Sequence, residues 1–153
     1  MSDFPRRPLV QSVTSDRIDI LLKFVRASRK AFDQTLCEIP ETVEVDAVAR
    51  DLSRGRIRCA VAKIDNRIVS VATLVGFGPT AELAGVGTFP GLRGRGYATA
   101  VSSFLIQSHF AQSGDLVWLS AGSPEAERVY TRLGFARIGA NQLNFHDEMT
   151  SKP

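Results

Sequence analysis

The residues best suited to chemistry form a glycine- and arginine-rich loop at positions 88–98. This loop holds three glycines and two arginines and joins an apolar segment to an amphipathic one. Successive backbone N–H groups in such a loop converge on one point, and the positive end of the following helix dipole is directed at the same point. Arg93 and Arg95 add positive charge nearby. The loop therefore predicts a site for a phosphate or pyrophosphate group.

Two common phosphate-binding patterns do not describe this loop. No lysine follows a glycine, so the Walker pattern is absent, and Thr99 stands where a dinucleotide-binding loop has its third glycine. A plain hairpin turn is the alternative without a ligand. It is disfavoured because Tyr97, Val101 and Leu105 recur at helical spacing after the loop. A strand, a phosphate-binding loop and a helix are therefore expected.

Composition indicates one domain that covers residues 1–153. Hydrophobic residues make up 44% of the chain and charged residues 23%, as in globular proteins. No apolar run approaches the ~20 residues of a membrane span, and residues 1–11 lack the apolar core of a signal peptide. Basic stripes interleaved with aromatic residues are also absent. We expect a cytoplasmic protein that binds neither membranes nor nucleic acid.

The cysteines and histidines do not form a metal-binding pattern. Cys37 and Cys59 are widely separated, which favours free thiols, and neither His109 nor His146 has a ligand partner one helical turn away. No metal site is expected.

The formal net charge is +3. Arginines cluster at positions 54, 56 and 58, which indicates either a solvated face or a preference for anionic ligands.

The predicted elements follow the order β-α-α-β-β-β-α-β-α-β-β. This order fits a mixed α/β (α+β) fold with a predominantly antiparallel sheet of six or seven strands and about four helices. Gly85 and Gly87 interrupt one strand and predict a bulge or a close backbone approach. The predicted strands are Pro8–Val13, Ile57–Ile64, Arg67–Val75, Ala81–Phe89, Leu116–Ser120, Phe135–Ile138 and Gln142–Phe145. The third helix is predicted over Gly94–Gln112, and Ser123 is predicted to cap the fourth.

Two separated motifs resemble those of the GNAT acyltransferase superfamily. The first is R-x-x-G-x-A, formed by Arg93, Gly96 and Ala98. The second spans residues 123–135 and is similar to N-x-x-A-x-x-L-Y-x-x-L-G-F, with Ser123 in place of the asparagine. The residues that match it are Ala126, Tyr130, Leu133, Gly134 and Phe135. The resemblance covers about the last two-thirds of the chain.

The resemblance implies a GNAT-like fold and an acyltransferase that uses acetyl-coenzyme A as co-substrate, without a metal. Two neighbouring strands are expected to splay apart and to admit the pantetheine arm, while the loop amides hold the pyrophosphate. A backbone N–H of Val86 or Gly87 is expected to stabilise the oxyanion. The residues predicted to bind the cofactor are Val86, Gly87, Thr88, Arg93, Gly94, Arg95, Gly96, Tyr97, Ala98 and Ser123.

The motif match indicates one catalytic residue, Tyr130, and position at the start of the strand that lines the cleft indicates a second, Glu82. Tyr130 is expected to be the general acid that protonates the departing thiolate, although its place on the apolar stripe of a helix also suits a core residue. Glu82 is the expected general base, and its alternative role is an exposed acid at a strand end. Glu38 and Glu41 are weaker candidates.

The predicted reaction is transfer of an acetyl group to a small-molecule or peptide amine, by direct attack within a ternary complex. A coenzyme-A-binding sensor without turnover is the main alternative. An enzyme that uses a nucleoside triphosphate is disfavoured because the P-loop lysine is missing. The resemblance also implies a homodimer, which the last strands would form across an interface.

Overall fold

The structure, a computed structural model, describes residues 6–34, 38–76 and 78–139. Five strands and four helices occur in this part of the chain. The strands are β1 (Leu9–Val13), β2 (Ile57–Ile64), β3 (Arg67–Val75), β4 (Thr80–Thr88) and β5 (Leu116–Trp118). The helices are α1 (Ile18–Ala31), α2 (Glu41–Ser53), α3 (Tyr97–Ala111) and α4 (Pro124–Arg132).

The strands form one mixed sheet in the order β1-β2-β3-β4-β5. The first four strands pair antiparallel, and β5 pairs parallel to β4. Parallel neighbours require a crossover connection, and α3 provides it between β4 and β5. The start of α3 therefore lies beyond the carboxyl end of β4, where it can face a ligand.

The β2–β3 hairpin turns at Asp65 and Asn66. These two residues have φ angles of 48° and 64°, which is the left-handed backbone that a two-residue hairpin turn requires. Asp and Asn adopt this conformation more readily than bulkier residues do. The dipeptide thus fixes the ends of both strands, and their predicted bounds are confirmed.

The two faces of the sheet carry separate apolar cores. Helix α3 covers one face, where Tyr97, Val101 and Leu105 pack on strand residues such as Ala81 and Leu83. Helix α1 covers the other face through an apolar stripe, and side chains of α2 pack around it. The buried residues of α1 in this core are Ile20, Leu21, Phe24, Val25, Ala27 and Ala31.

Two expectations about elements are corrected within residues 6–34, 38–76 and 78–139. The sheet there has five strands, because the predicted strand Phe135–Ile138 is irregular and pairs with no described strand. Ile138 is 90% exposed, and an extended segment without a partner does not form a strand. Helix α3 begins at Tyr97 rather than at Gly94, because Gly94 and Gly96 adopt left-handed φ angles. The predicted strand Gln142–Phe145 lies outside the described residues.

Candidate active site

The sheet opens between β4 and β5. The two strands pair only at Thr80–Leu116, Ala81–Val117 and Glu82–Trp118, and β4 then continues to Thr88 without β5 beside it. A β-bulge lies in this unpaired stretch, because Gly85 and Val86 together oppose Ala72 of β3. Gly85 has a φ of 56°, which suits a bulge residue in the left-handed region. The predicted bulge is present, and the pairing of β4 with β5 ends after Glu82.

The unpaired edge of β4 presents backbone groups of Val86 and Thr88. The N–H of Phe89 donates to the carbonyl of Val69 on β3 at 3.1 Å. Backbone groups of successive residues point to opposite edges of a strand, so Thr88 and Val86 direct theirs away from β3. The N–H of Gly87, which pairs with Val71, is directed toward β3.

Helix α1 approaches the sheet closely at Gly87. A Cβ built there would lie 2.9 Å from Cβ of Ala31 and 3.0 Å from Cζ of Phe32. The ring of Phe32 is 43% exposed, and Nζ of Lys30 lies 5.0 Å from the ring centroid of Phe89. Lys30, Ala31 and Phe32, at the end of α1 and just after it, therefore lie beside Gly87 and Phe89 on the face opposite α3. Sequence periodicity did not identify them as site residues, since it gives no information on which strand a helix crosses.

The glycine-rich loop connects this edge to α3. Its glycines at 91, 94 and 96 have φ angles of 83°, 76° and 82°, and a Cβ on any of them would meet nothing within 4 Å. Among the described residues, no backbone carbonyl accepts a hydrogen bond from the amides of residues 93–96, and α3 has no side-chain cap. The loop therefore offers free N–H donors and open space in front of them.

The side chains of this loop point in different directions. Nε of Arg93 donates to the carbonyl of Thr88 at 3.3 Å, which keeps the Arg93 charge beside the open edge. Arg95 is exposed and forms no ion pair with another described residue. The side chain of Tyr97 is buried in the core, so only its backbone is available to a ligand. Ala98 is half-buried in the first turn of α3.

Helix α4 holds the remaining predicted residues. Oγ of Ser123 accepts a hydrogen bond from the amide of Ala126 at 3.1 Å and so caps the helix, as predicted. A hydroxyl that accepts one hydrogen bond can still donate its own proton. Tyr130 packs edge-on against Phe135, with ring centroids 6.0 Å apart, and it borders the core on the α3 face. Burial raises the pKa of the Tyr130 phenol.

Glu82 occupies the last paired position before the sheet opens. It lies between Val75 of β3 and Trp118 of β5 and is half-buried. Ala81 and Leu83 face α3, so alternation directs Glu82 to the opposite face. No other described residue forms an ion pair with this carboxylate. In contrast, Glu41 pairs with Arg26 at 2.9 Å, and this hydrogen-bonded partner lowers the pKa of the Glu41 carboxyl.

The profile of the acetyltransferase (GNAT) family matches residues 24–135. The chain belongs to this family. The match includes the open edge of β4, the glycine-rich loop and α4 with Tyr130. A search of curated proteins found no significant match. Among the described residues, no helix is long and apolar enough to cross a membrane.

Solved acetyltransferases share the GNAT fold of this chain. One is an aminoglycoside acetyltransferase from an uncultured soil metagenomic sample, in complex with trehalose, with a TM-score of 0.74 and 14% identity over 91% of this chain and 93% of its own. A second is AAC(6')-Iy, in complex with the bisubstrate analogue CoA-S-monomethyl-acetylneamine. It has a TM-score of 0.71 and 14% identity, and the match covers 88% of this chain and 95% of AAC(6')-Iy. A predicted acetyltransferase from Clostridium acetobutylicum, with acetyl-CoA, has a TM-score of 0.64 and 19% identity over 90% and 97%.

The GNAT residues of this chain fit coenzyme A in chemical terms. A diphosphate requires several N–H donors and positive charge, which the amides of residues 93–96 and Arg95 offer. An extended pantetheine arm requires a free strand edge, which Val86 and Thr88 offer. No described side chain fills the space in front of Gly91, Gly94 or Gly96.

Proposed function

We propose that this GNAT protein transfers the acetyl group of acetyl-coenzyme A to a primary amine by direct attack within a ternary complex. The observation that carries the proposal is the loss of β4–β5 pairing after Glu82, which leaves a strand edge leading to the glycine-rich loop. A thioester bound along this edge lies in a cleft that an amine can also reach. Bringing the two reactants together supplies a large part of the rate enhancement.

The backbone of the loop and strand holds the co-substrate. The amides of Arg93, Gly94, Arg95, Gly96, Tyr97 and Ala98 bind the pyrophosphate, with the side chains of Arg93 and Arg95 adding charge. Val86 and Thr88 hydrogen-bond the pantetheine arm, and the Ser123 hydroxyl donates to the co-substrate while it caps α4. The N–H of Gly87 is directed toward β3 and is not available to the co-substrate. Gly87 therefore contributes only through the space that its missing side chain leaves.

The N–H of Val86 stabilises the developing oxyanion. The amine nitrogen attacks the carbonyl carbon of the thioester, and negative charge collects on the carbonyl oxygen. Of the two donors considered from the sequence, Val86 is favoured because its N–H lies on the open edge of β4. One donor of this kind contributes about 3 kcal/mol to the transition state.

Tyr130 protonates the sulfur as the C–S bond breaks. A neutral phenol is needed for this step, and burial favours the neutral form because it raises the phenol pKa. The activity should therefore show no loss from Tyr130 ionisation until the pH exceeds the ordinary phenol value of 10.0. The acceptor ammonium loses a proton to Glu82, directly or through a water, and the neutral amine that results then attacks the thioester.

An acceptor-panel assay of thiol release from acetyl-coenzyme A tests the reaction. The panel contains amino acids, a peptide amine and an aminoglycoside, because some of the similar structures are aminoglycoside acetyltransferases. With the best acceptor, Tyr130→Phe should lower kcat by about 10²-fold or more and leave the Kd of coenzyme A unchanged. Glu82→Gln should lower kcat/KM and leave the Kd of coenzyme A unchanged.

A sensor without turnover would give a different result. It would bind coenzyme A, release no thiol with any acceptor, and respond to neither substitution. A kcat unchanged in Tyr130→Phe, with an active wild-type protein, would remove Tyr130 from the mechanism.

A further inference from the structure

A second concave site lies at the end of the sheet remote from the glycine-rich loop. It is a groove of about 740 Å³, formed where β1 ends, β2 begins, β3 connects to β4, and α3 ends. Its volume is in the range of small-molecule sites. Residues Thr80 to Val86 of β4 separate it from the proposed oxyanion donor, the N–H of Val86, by roughly 20 Å at the rise of a strand. The groove is therefore distinct from the place where the thioester is proposed to react.

The groove contains one cation and no described carboxylate. Arg58 is the only charged residue among those that line it. Desolvation lowers the pKa of its guanidinium, and no nearby negative charge opposes this effect. The other polar groups are neutral and suit hydrogen bonding to an anion: they belong to Ser12, Thr14, Ser15, Ser108, Gln112 and Ser113.

The structure separates Arg58 from the other arginines of the 54–58 cluster. Arg56 is directed to solvent and lies 3.8 Å from Asp51 of α2. Arg54 follows α2 and is exposed. Arg58 faces α3, because Ala60 and Ala62, two and four residues further along β2, pack on that face. The preference for anions that the cluster suggests therefore depends on Arg58 alone.

His109 holds Arg58 in place. An NH2 group of Arg58 donates to Nδ1 of His109 at 2.6 Å, and Nε2 of His109 lies 3.0 Å from the carbonyl of Pro79. A guanidinium only donates and a carbonyl only accepts, so His109 carries its proton on Nε2 and is neutral. His109 is 2% exposed. The hydrogen bond to His109 occupies one N–H donor of the Arg58 guanidinium. No other described group accepts a hydrogen bond from its remaining N–H donors.

We propose that this groove binds a small organic anion through its carboxylate or phosphate group. The free N–H donors of Arg58 hold the anionic group, because the planar guanidinium matches both chemistries. The hydroxyls of β1 and α3 complete its hydrogen bonds, and Leu105, on the same face of the sheet as Arg58, contacts the carbon body of the ligand. An isolated, partly desolvated cation is unfavourable without such a partner.

Titrations with malonate and with inorganic phosphate test the proposal. Binding is measured by calorimetry and by the NMR signal of the Arg58 Nε–H group, at constant ionic strength. We expect saturable binding of at least one anion, and the tighter of the two identifies the ligand chemistry. Arg58→Gln should weaken this binding roughly tenfold or more. Binding that persists in Arg58→Gln but disappears in the Arg93→Gln/Arg95→Gln double variant would place the anion at the glycine-rich loop and overturn the proposal.

Gln112 offers a matched pair that leaves Arg58 and His109 intact. It lines the groove and is exposed at the end of α3, so neither substitution should disturb the fold. Gln112→Glu should weaken anion binding severalfold, and Gln112→Lys should strengthen it by a similar factor. Equal affinity in both variants and the wild type, or no saturable response to either anion, would contradict the proposed site.

Discussion

Gly87 is a glycine because α1 leaves no room for a side chain. A Cβ at this position would lie 2.9 Å from that of Ala31 and 3.0 Å from the ring of Phe32. Its backbone is not left-handed, so the constraint is one of space rather than of φ. The close approach sets the distance between α1 and the open edge of β4, where the thioester is proposed to lie.

Gly87→Ala should lower the free energy of unfolding by about 1–3 kcal/mol, because an added methyl group in a packed contact displaces its neighbours. Urea denaturation measures the change. Gly122→Ala is the control, since a Cβ there would meet nothing within 4 Å and its φ is not in the left-handed region. Similar losses of stability in both variants would show that the contact with α1 is unimportant.

Cys59 makes stability sensitive to alkaline pH. Its thiol is buried beside Oγ1 of Thr73 at 3.5 Å, and burial raises the thiol pKa from 9.0 to about 11. The unfolded chain thus loses this proton at a lower pH than the folded protein does. The stabilisation is fully present below pH 9 and is lost as the pH rises through 11.

Between pH 9 and pH 11, the free energy of unfolding of the wild type should fall by on the order of 2–3 kcal/mol more than that of Cys59→Ala. The measurement compares the two proteins by urea denaturation across the alkaline range, so that other groups that titrate there cancel. Parallel stability curves would indicate that the Cys59 thiol is not protected from solvent. The predicted thiol of Cys37 lies outside the described residues.

At the scale of secondary-structure elements, polar contacts of Arg29 attach α2 to α1. Arg29 and Glu44 are 2.6 Å apart, with side-chain exposures of 15% and 30%, and Arg29 also donates to the carbonyl of Ile39 at 2.7 Å. No side chain of α2 is fully buried. The docking of α2 thus depends on these polar contacts more than that of α1 does.

Arg29→Met should lower stability by about 1–2 kcal/mol, because it leaves the half-buried Glu44 and the Ile39 carbonyl without their donor. Thermal and urea denaturation measure the loss. Arg17→Met removes a fully exposed pair with Asp19 and should change stability very little. Equal effects of the two substitutions would mean that α2 does not rely on Arg29.

Elements set by local chemistry were predicted well, whereas contacts set by tertiary packing were not. The Asp65–Asn66 turn, the Gly85 bulge and the Ser123 cap each follow from a residue and its immediate neighbours. Phe32 beside Gly87 and His109 beside Arg58 join residues more than 50 positions apart in the chain. Their spacing in the sequence carries no signal, because it does not specify which face of the sheet each helix covers.

At the scale of the whole molecule, the sheet has a ligand-binding region proposed at each end. The glycine-rich loop lies at the carboxyl end of β4, and the anion groove lies at its amino end. Ligands at the two ends should bind without touching each other. The family match covers the glycine-rich loop and the part of the groove contributed by β2, the β3–β4 connection and α3, but it begins after the groove residues at positions 12–15.

Acetyl-coenzyme A should raise the Tm of the protein, and ATP at the same concentration should raise it much less. A ligand that binds only the folded state stabilises it in proportion to the logarithm of its concentration above Kd. The two compounds share phosphates and adenine, so the difference between their Tm shifts measures the contribution of the pantetheine arm bound along the β4 edge. Equal shifts would indicate that this edge contributes nothing to binding.

The carbonyl of Pro79 accepts from three donors, and this has a consequence for local opening of the chain. The amides of Asp115 and Leu116 donate to it at 2.8 and 3.1 Å, and Nε2 of His109 completes the set. The connection before β4 and the turn after α3 therefore cannot loosen separately. In hydrogen–deuterium exchange, these two amide protons should exchange together and more slowly than loop amides usually do, as one cooperative unit with the end of α3.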